Sequence, residues 1–266
     1  MLDKKFLEEY IKKNGIPQKP RQNLTEYLQA EILAALYGSD YGQFLSFIGG
    51  TCLRFAYNIE RFSEDLDFDL IKNGFDCEGL AKYLEKKLKE LGFKADARAK
   101  RTKNIFIIYV KFSSVMKEMG LSPMDGQKLM IRFEADPNPP KHIKFESKRV
   151  NAYGKAFNIV ANELDSVFAQ KVLAIMKRPY QKGRDFYDLV WLFGQKNLEP
   201  NYAILQEKKI AVANRAELVE MLQKKVAKSD LKQAVKDVEK FLFHPEQAKW
   251  ILDLPKYLDD YAKAVL

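Results

Sequence analysis

Apolar residues recur every three to four positions along several stretches of this chain, a spacing typical of helices that bury one face. The stretches nearest the N-terminus are residues 3–13, 25–37 and 77–91. Each is followed by a glycine within two residues, which is a common helix stop signal. The same spacing returns after Asn162, which is predicted to cap the next helix, and it continues through most of the C-terminal half.

A second set of segments is short, apolar or alternating, and is predicted to form strands. These segments are residues 44–48, 93–98, 104–112, 127–136 and 157–160. In the fourth segment Leu129, Ile131 and Phe133 have one parity, so Arg132 and Glu134 are expected on the opposite face. Helices therefore precede, interrupt and follow a group of strands.

One stretch departs from this simple pattern, because acidic and apolar residues alternate in it. Asp65, Asp67 and Asp69 are separated by single apolar residues. On an extended chain the three carboxylates share one face, where their like charges repel unless a cation binds them. Aspartate is also disfavoured in strands, so three at alternate positions need a reason. A divalent metal site is the favoured explanation.

The acidic stretch has three other interpretations. An edge strand that exposes its carboxylates to water without a ligand stays open. An EF-hand loop needs glycine sixth and glutamate twelfth, but the chain has Leu70 and Asp76 there, which excludes it. An acid-x-acid pair that holds a nucleotide-sugar metal in a glycosyltransferase gives no reason for the glycines upstream.

Those glycines form the sequence Gly49-Gly50-Thr51, between a predicted strand and a helical segment at residues 52–57. Glycines let backbone amides approach a phosphate, and a helix N-terminus adds partial positive charge. Asp65 and Asp67 follow 14 and 16 positions after Thr51. The combination predicts one element that holds a triphosphate and another that holds the Mg²⁺ bridging it.

The segments GGTCLRFAY, RFSEDLDFDL and RDFYDL resemble the AbiEii/MenT family of bacterial toxin nucleotidyltransferases. More widely they resemble the nucleotidyltransferase superfamily, whose signature is a Gly-Gly or Gly-Ser turn followed by Asp-x-Asp. The resemblance implies a polymerase β-like α+β fold, with a mixed sheet flanked by helices and a helical C-terminal half. It implies a catalytic domain at residues 1–160 and a helical domain at residues 161–266 that completes the active-site cleft.

The resemblance also assigns residues outside the acidic stretch. In this superfamily a third carboxylate comes from a neighbouring strand, and Glu134 matches it best, with Asp136 second. The other interpretation of Glu134 is an exposed residue on an edge strand. In the helix after Asn162, Lys171 interrupts an apolar face, so it either extends to the surface or meets a fixed anion. The family places a lysine of this helix against the nucleotide phosphates.

The motif Arg-Asp-x-x-Asp-Leu of the family matches the segment that begins at Arg184. The match implies nucleotide binding by Arg184 and Asp185, and a role for Asp188 in orienting the lysine or the substrate. Asp185 also suits a helix N-terminus, so capping stays open for it. In the loop before Asp65, Arg61 is predicted to meet the triphosphate or to pair with the carboxylates, and Ser63 to cap, turn or touch phosphate.

The net charge of +9 and the pI near 9.2 favour a polyanionic partner. Basic residues cluster at positions 100–103, 141–149, 177–184 and 224–228. Several such clusters around an acidic pocket would form a salt-sensitive track for an RNA backbone.

The remaining composition fits a cytoplasmic protein rather than a membrane or secreted one. No apolar run approaches the roughly 20 residues that span a bilayer, and the charged N-terminus does not resemble a secretory signal. The chain has 2 cysteines, Cys52 and Cys77, too few for a disulfide framework.

The hypothesis is therefore transfer of a nucleoside monophosphate from an NTP to an acceptor hydroxyl. Mg²⁺, with Mn²⁺ as the alternative, would be held by Asp65, Asp67 and Glu134, and Gly49, Gly50 and Thr51 would hold phosphates. Similarity to MenT toxins implies the tRNA 3′ end as acceptor, a toxin–antitoxin or phage-defence role, and a cognate antitoxin. Modification of a protein or small molecule, or a non-catalytic module that binds RNA or a partner, are the alternatives.

Overall fold

A computed structural model of the chain describes residues 3–102, 104–124 and 126–263, so Lys103 of the first basic cluster lies outside the described residues. The helices are α1 (Lys4–Lys13), α2 (Pro20–Tyr37), α3 (Gly49–Tyr57), α4 (Cys77–Glu90), α5 (Val115–Glu118), α6 (Leu164–Lys177), α7 (Gly183–Phe193), α8 (Tyr202–Glu207), α9 (Arg215–Val226), α10 (Leu231–Glu239) and α11 (Leu254–Lys263). The strands are β1 (Leu45–Ile48), β2 (Leu66–Leu70), β3 (Lys94–Arg101), β4 (Phe106–Ser113), β5 (Leu129–Asp136), β6 (Phe145–Ala152) and β7 (Lys155–Asn162). Two 3₁₀ segments, Asp40–Phe44 and Pro245–Asp253, complete the described elements.

The strands form one 7-stranded sheet in the order β3-β4-β5-β2-β1-β7-β6. Strand β2 pairs parallel with β5 and antiparallel with β1, while β1 pairs parallel with β7. Strands β3, β4 and β5 form an antiparallel meander. The sheet is therefore mixed, as the α+β prediction required, and the strand that carries the aspartates lies in its interior.

A row of aromatic rings fixes the register of the central strands. Phe68 of β2 stacks on Phe47 of β1 and on Phe133 of β5, with ring centroids 5.1 and 4.4 Å apart. All three side chains are buried, and burial of each contributes about 1.5–3 kcal/mol. Because side chains alternate along a strand, a slip of one residue would move these rings out of the core and the neighbouring aspartates into it.

The chain divides into two compact units. The sheet unit comprises Met1–Asn58, Phe62–Pro139 and Phe145–Ala161. The helical unit comprises Ile59–Arg61, Pro140–Lys144 and Asn162–Leu266. In the helical unit the rings of Phe168 and Phe193 both pack against Tyr261, at 6.2 and 4.7 Å between centroids. In the described part of the chain, no helix is both long and apolar enough to cross a membrane.

The structure corrects several predicted boundaries. Helix α2 begins at Pro20, five residues before the predicted start at position 25, because proline suits the first position of a helix. Helix α3 begins at Gly49, so the glycines form its first turn and do not precede it. The predicted cap, Asn162, lies in β7, and the N-cap of α6 is Glu163, without a side-chain hydrogen bond among the described residues.

Strand β6 was missed at the sequence level. Its residues alternate between exposed and half-buried along most of its length, so it lacks the apolar periodicity that marks a buried strand. The reason is its place at the edge of the sheet. Tyr153 and Gly154, both in the left-handed region at φ 51° and 73°, turn the chain from β6 into β7.

Candidate functional site

Gly49 is packed directly against Asp67. Its φ of +77° lies in the left-handed region that favours glycine, at the point where β1 passes into α3. A β-carbon added to Gly49 would overlap Asp67 Oδ2 and would lie 3.0 Å from Asp67 Cβ. Glycine is therefore required at this position for its backbone angle and for the close approach, and it brings the start of α3 against the carboxylate.

Thr51 links the same helix to the other aspartate. Its side chain is fully buried, and its hydroxyl donates a hydrogen bond to the backbone carbonyl of Asp65. The hydroxyl thus holds the segment just before β2, so phosphate binding by Thr51 would use its backbone N–H. The first N–H groups of a helix lack intrahelical acceptors, and no side chain of the described residues caps α3 at Ile48. This end of α3 suits an anion.

The register of β2 and β5 places Asp67 beside Glu134. The two residues are direct partners in the parallel pair, as are Asp69 and Asp136, so each pair shares a sheet face. Asp69 is buried, whereas Asp67 and Glu134 are half-buried. Because both strands lie inside the sheet, the edge-strand interpretations of the aspartates and of Glu134 are wrong.

Glu134 also forms an ion pair with Arg132, two residues earlier on the same face of β5. Among the described residues, no group of three or more His, Cys, Asp or Glu side chains is arranged to hold a metal ion. Carboxylate oxygens are nevertheless the donors that Mg²⁺ prefers, and Asp67 and Glu134 present them from adjacent strands. The donor chemistry fits a hard divalent cation, and the ligand set Asp65, Asp67 and Glu134 stays a prediction.

Buried polar residues of α2 support this region, and no motif in the sequence marks them. Glu26 accepts hydrogen bonds from Arg54 of α3 at 3.1 and 3.2 Å, and from Tyr153 at 3.0 Å. Gln29 Nε2 donates to the backbone carbonyl of Ser63 at 3.2 Å, two residues before Asp65. Helix α2 therefore holds both the glycine-bearing helix and the loop that leads to the acids. The sequence signal for these residues was that polar side chains of α2, such as Glu26 and Gln29, occur at the helical spacing of buried positions.

In the helical unit, Arg61, Lys171 and Asp188 form a buried cluster. Arg61 Nε and Nη2 donate to the two oxygens of Asp188 at 2.6 and 2.7 Å. Lys171 Nζ lies 2.7 Å from Asp188 Oδ2 and 3.4 Å from Asp185 Oδ1. Arg178 forms a further ion pair with Asp185. These five side chains, three cations and two carboxylates, together carry a net charge of +1.

Electrostatics in this cluster favour the charged forms. Burial by itself would raise the pKa of Asp188, but the charges of Arg61 and Lys171 outweigh it and hold this pKa below its ordinary value. Burial would likewise lower the pKa of Arg61, and the Asp188 carboxylate outweighs it and raises that pKa. The cluster is therefore an ionised network inside the protein.

These contacts change the roles expected for several residues. Arg61 is buried and forms an ion pair with Asp188, and its contact with a triphosphate stays a prediction. Lys171 meets fixed anions and does not extend to the surface. Arg184 lies over the ring of Phe241 at 4.3 Å. Asp185 lies in the first turn of α7. The contact observed for Ser63 is made by its backbone carbonyl, which accepts a hydrogen bond from Gln29.

Comparison with solved structures shows the fold. The chain is similar to JHP933 from Helicobacter pylori, with 17% identity and a TM-score of 0.58 over 93% of this chain and 94% of that one. It is also similar to MenT4, a nucleotidyltransferase toxin from Mycobacterium tuberculosis H37Rv, with 15% identity and a TM-score of 0.62 over 100% and 91% of the two chains. No curated protein sequence matches.

The profile of one protein family matches residues 31–260, which is most of the chain. That family is described as the nucleotidyl transferase AbiEii toxin of type IV toxin–antitoxin systems. The matched region contains the glycine-bearing helix, the aspartates of β2, Glu134 and the buried cluster of Asp188. This chain accordingly belongs to the AbiEii family of nucleotidyl transferase toxins.

Proposed function

We propose that this chain transfers a nucleoside monophosphate from an NTP to the 3′-terminal hydroxyl of a tRNA, with Mg²⁺ bound. One observation carries the proposal: Gly49 lies against Asp67, so a helix N-terminus suited to phosphate is adjacent to a carboxylate suited to metal. The two requirements of nucleotidyl transfer are a bound triphosphate and neutralisation of its charge, and this arrangement would serve both at one place in the sheet unit.

The chain's own groups bind and orient the donor. The backbone N–H groups of Gly49, Gly50 and Thr51 at the start of α3 would bind the outer phosphates. Asp65 and Asp67, with Glu134, would hold the metal, which when bound neutralises charge on the α-phosphate and the leaving pyrophosphate. Glu134, held by Arg132, would accept the proton of the attacking hydroxyl.

The buried cluster of the helical unit has a second assigned role. From the family resemblance, we assign Lys171 to a phosphate of the nucleotide, with Arg184 and Asp185 as further nucleotide contacts. The excess positive charge of the cluster supports this assignment. Asp188, which accepts hydrogen bonds from Arg61, would fix the position of the Lys171 ammonium.

The acceptor is assigned on wider grounds. A net charge of +9 favours a polyanion, and membership of a toxin family points to an essential cellular substrate. Inactivation of tRNA at its 3′ end meets both conditions. A cognate antitoxin is the protein partner implied by a type IV toxin–antitoxin family.

The test is an incubation of the protein with Mg²⁺, each labelled NTP in turn, and tRNA, cell protein or a small-molecule extract. We expect label in tRNA, its loss with EDTA and its return with Mg²⁺ or Mn²⁺. The control is Asp67→Asn, which keeps the side-chain size and removes the charge. Label in protein or small molecules would show that the acceptor is not tRNA. No label in any fraction would refute nucleotidyl transfer by this site.

A further inference from the structure

Three rows of register-paired residues cross strands β3, β4 and β5. The first row is Asp96, Lys111 and Met130, the second is Arg98, Tyr109 and Arg132, and the third is Lys100, Ile107 and Glu134. The third row continues to Asp67 on β2. Residues directly opposite each other on neighbouring strands share a face, so these rows form one surface, which we call the basic sheet face. It runs from the outer strand to the candidate metal ligands.

Except at Ile107, which is 6% exposed, the basic sheet face is open to solvent. Helix α4 packs on β3 and β4, and the residues of opposite parity, such as Ala97 and Val110, are buried. On the basic sheet face, by contrast, the side chain of Arg98 is 77% exposed, that of Arg132 is 41% exposed, and Met130 is 50% exposed. A ligand can therefore reach this surface.

The charge of this face is mainly positive. Its cations are Arg98, Lys100, Lys111 and Arg132, and its acids outside β2 are Asp96 and Glu134. Each acid already has an arginine partner: Arg98 Nε lies 3.2 Å from Asp96, and Arg132 is paired with Glu134. Within the described ranges, Lys100 and Lys111 take part in no ion pair. Exposed cations beyond those needed for the acids attract a polyanion.

The shape of the face favours a nucleic acid over an acidic protein surface. Tyr109 is half-exposed and lies in register between Arg98 and Arg132, a combination on which nucleobases stack. From β3 to β2 the face spans three strand spacings, roughly 14 Å, and four-stranded sheets with exposed aromatics bind two or three bases. An acidic peptide would pair with the cations, but its carboxylates would be repelled by Glu134 and Asp67 at the end of the third row.

We propose that the basic sheet face binds the single-stranded end of an RNA acceptor and leads its terminal hydroxyl to Asp67 and Glu134. The proposal deepens the proposed function and rests on it for the reaction at that end. The binding surface itself depends on strand register, exposure and charge. Arg98 and Lys111 bind phosphates, and Tyr109 stacks on a base.

The test compares two double variants with the same change of charge. Arg98→Glu with Lys111→Glu reverses two cations of the face, and Lys82→Glu with Lys86→Glu reverses two exposed lysines of α4, which packs on the other side of these strands. The probe is a fluorescent RNA oligonucleotide ending in CCA, with binding followed by anisotropy over a range of salt. In the face variant, the salt slope should fall by about 1.4, from two contacts at roughly 0.7 each, and the α4 variant should retain it.

A second pair of variants tests stacking. Tyr109→Ala should weaken binding about five-fold or more, and Tyr109→Phe, which keeps the ring, should bind as the wild type does. All variants should bind labelled NTP equally, since none alters the candidate donor residues. Equal RNA binding by the face and α4 variants would refute the proposal. Unchanged RNA binding by the face variant, with loss only of label transfer to a protein acceptor, would refute it as well.

The proposal and the proposed function fail differently. If the wild type transfers label to RNA and the face variant does so equally well, the surface is wrong and the transfer function stands. If neither the wild type nor any variant transfers label, but RNA binding falls in the face variant alone, the binding surface is supported and the transfer function is wrong.

Discussion

Arg61 and Asp188 are 127 positions apart in the sequence, yet the guanidinium of one donates to both carboxylate oxygens of the other at 2.6 and 2.7 Å. Neither side chain is exposed by more than 1%. The short strand bridge between Arg61 and Leu242 holds the same segment in the helical unit. The pair therefore ties a three-residue segment from the N-terminal half of the chain to the core of that unit.

Removal of the Asp188 charge should strongly destabilise the helical unit. Asp188→Asn leaves Arg61 buried without its counter-charge and Lys171 with Asp185 alone, so we expect a loss of about 3–5 kcal/mol in the free energy of unfolding. Denaturant titration followed by circular dichroism measures it. Asp253→Asn, at an exposed position, is the control and should change stability little. An equal effect of the two substitutions would contradict the assigned role of the pair.

Acid should destabilise the protein partly through the same carboxylate. The pKa of Asp188 is lower in the folded protein than in the unfolded chain, so its stabilising effect is present above the unfolded pKa of about 3.9. That contribution falls as the pH drops through the unfolded value towards the folded one. Unfolding midpoints measured between pH 7 and pH 3 should therefore fall more steeply for the wild type than for Asp188→Asn. Parallel curves would show that Asp188 does not titrate as described.

A methyl group at position 49 should abolish nucleotidyl transfer. Gly49→Ala both strains a left-handed backbone, at about 1–2 kcal/mol, and displaces the Asp67 carboxylate. The matched control is Gly15→Ala, where φ is +63° and nothing lies within 4 Å of the added carbon. Both variants should lose some stability, and only Gly49→Ala should lose activity by 100-fold or more, about 2.7 kcal/mol in the barrier. Full activity in Gly49→Ala would show that the contact has no catalytic consequence.

Helix α2 should affect the reaction without touching the substrates. Gln29→Met removes the part-buried hydrogen bond to the Ser63 carbonyl, at a cost of about 0.5–1.5 kcal/mol. Because Ser63 precedes Asp65 by two residues, we expect kcat to fall while KM for the NTP stays close to that of the wild type. Arg21→Gln, at an exposed position of α2, is the control. A change in stability alone, with kcat retained, would make Gln29 a purely structural residue.

The local pattern of the sequence was enough to find most helices, the central strands and the family. Helical spacing and the alternation around Asp67 depend on neighbouring residues, so they are visible without a structure. The start of α2 was wrong for a local reason, since proline begins the helix early. Strand β6 was missed because it lies at the sheet edge, where it has no apolar face. Strand pairing and the buried ion pairs could not be predicted in this way, because they join residues that are far apart in the chain.

The amino-acid sequence by itself thus determined the fold class, the family and the acidic strand, since repeating apolar positions and short motifs encode them locally. Only the tertiary structure decided that Asp67 is a register partner of Glu134, that Gly49 must lack a side chain, and that Arg61 binds Asp188. The physical reason is that strand pairing and buried ion pairs are selected by the packing of the whole core, where one residue of slip or one unpaired charge costs several kcal/mol.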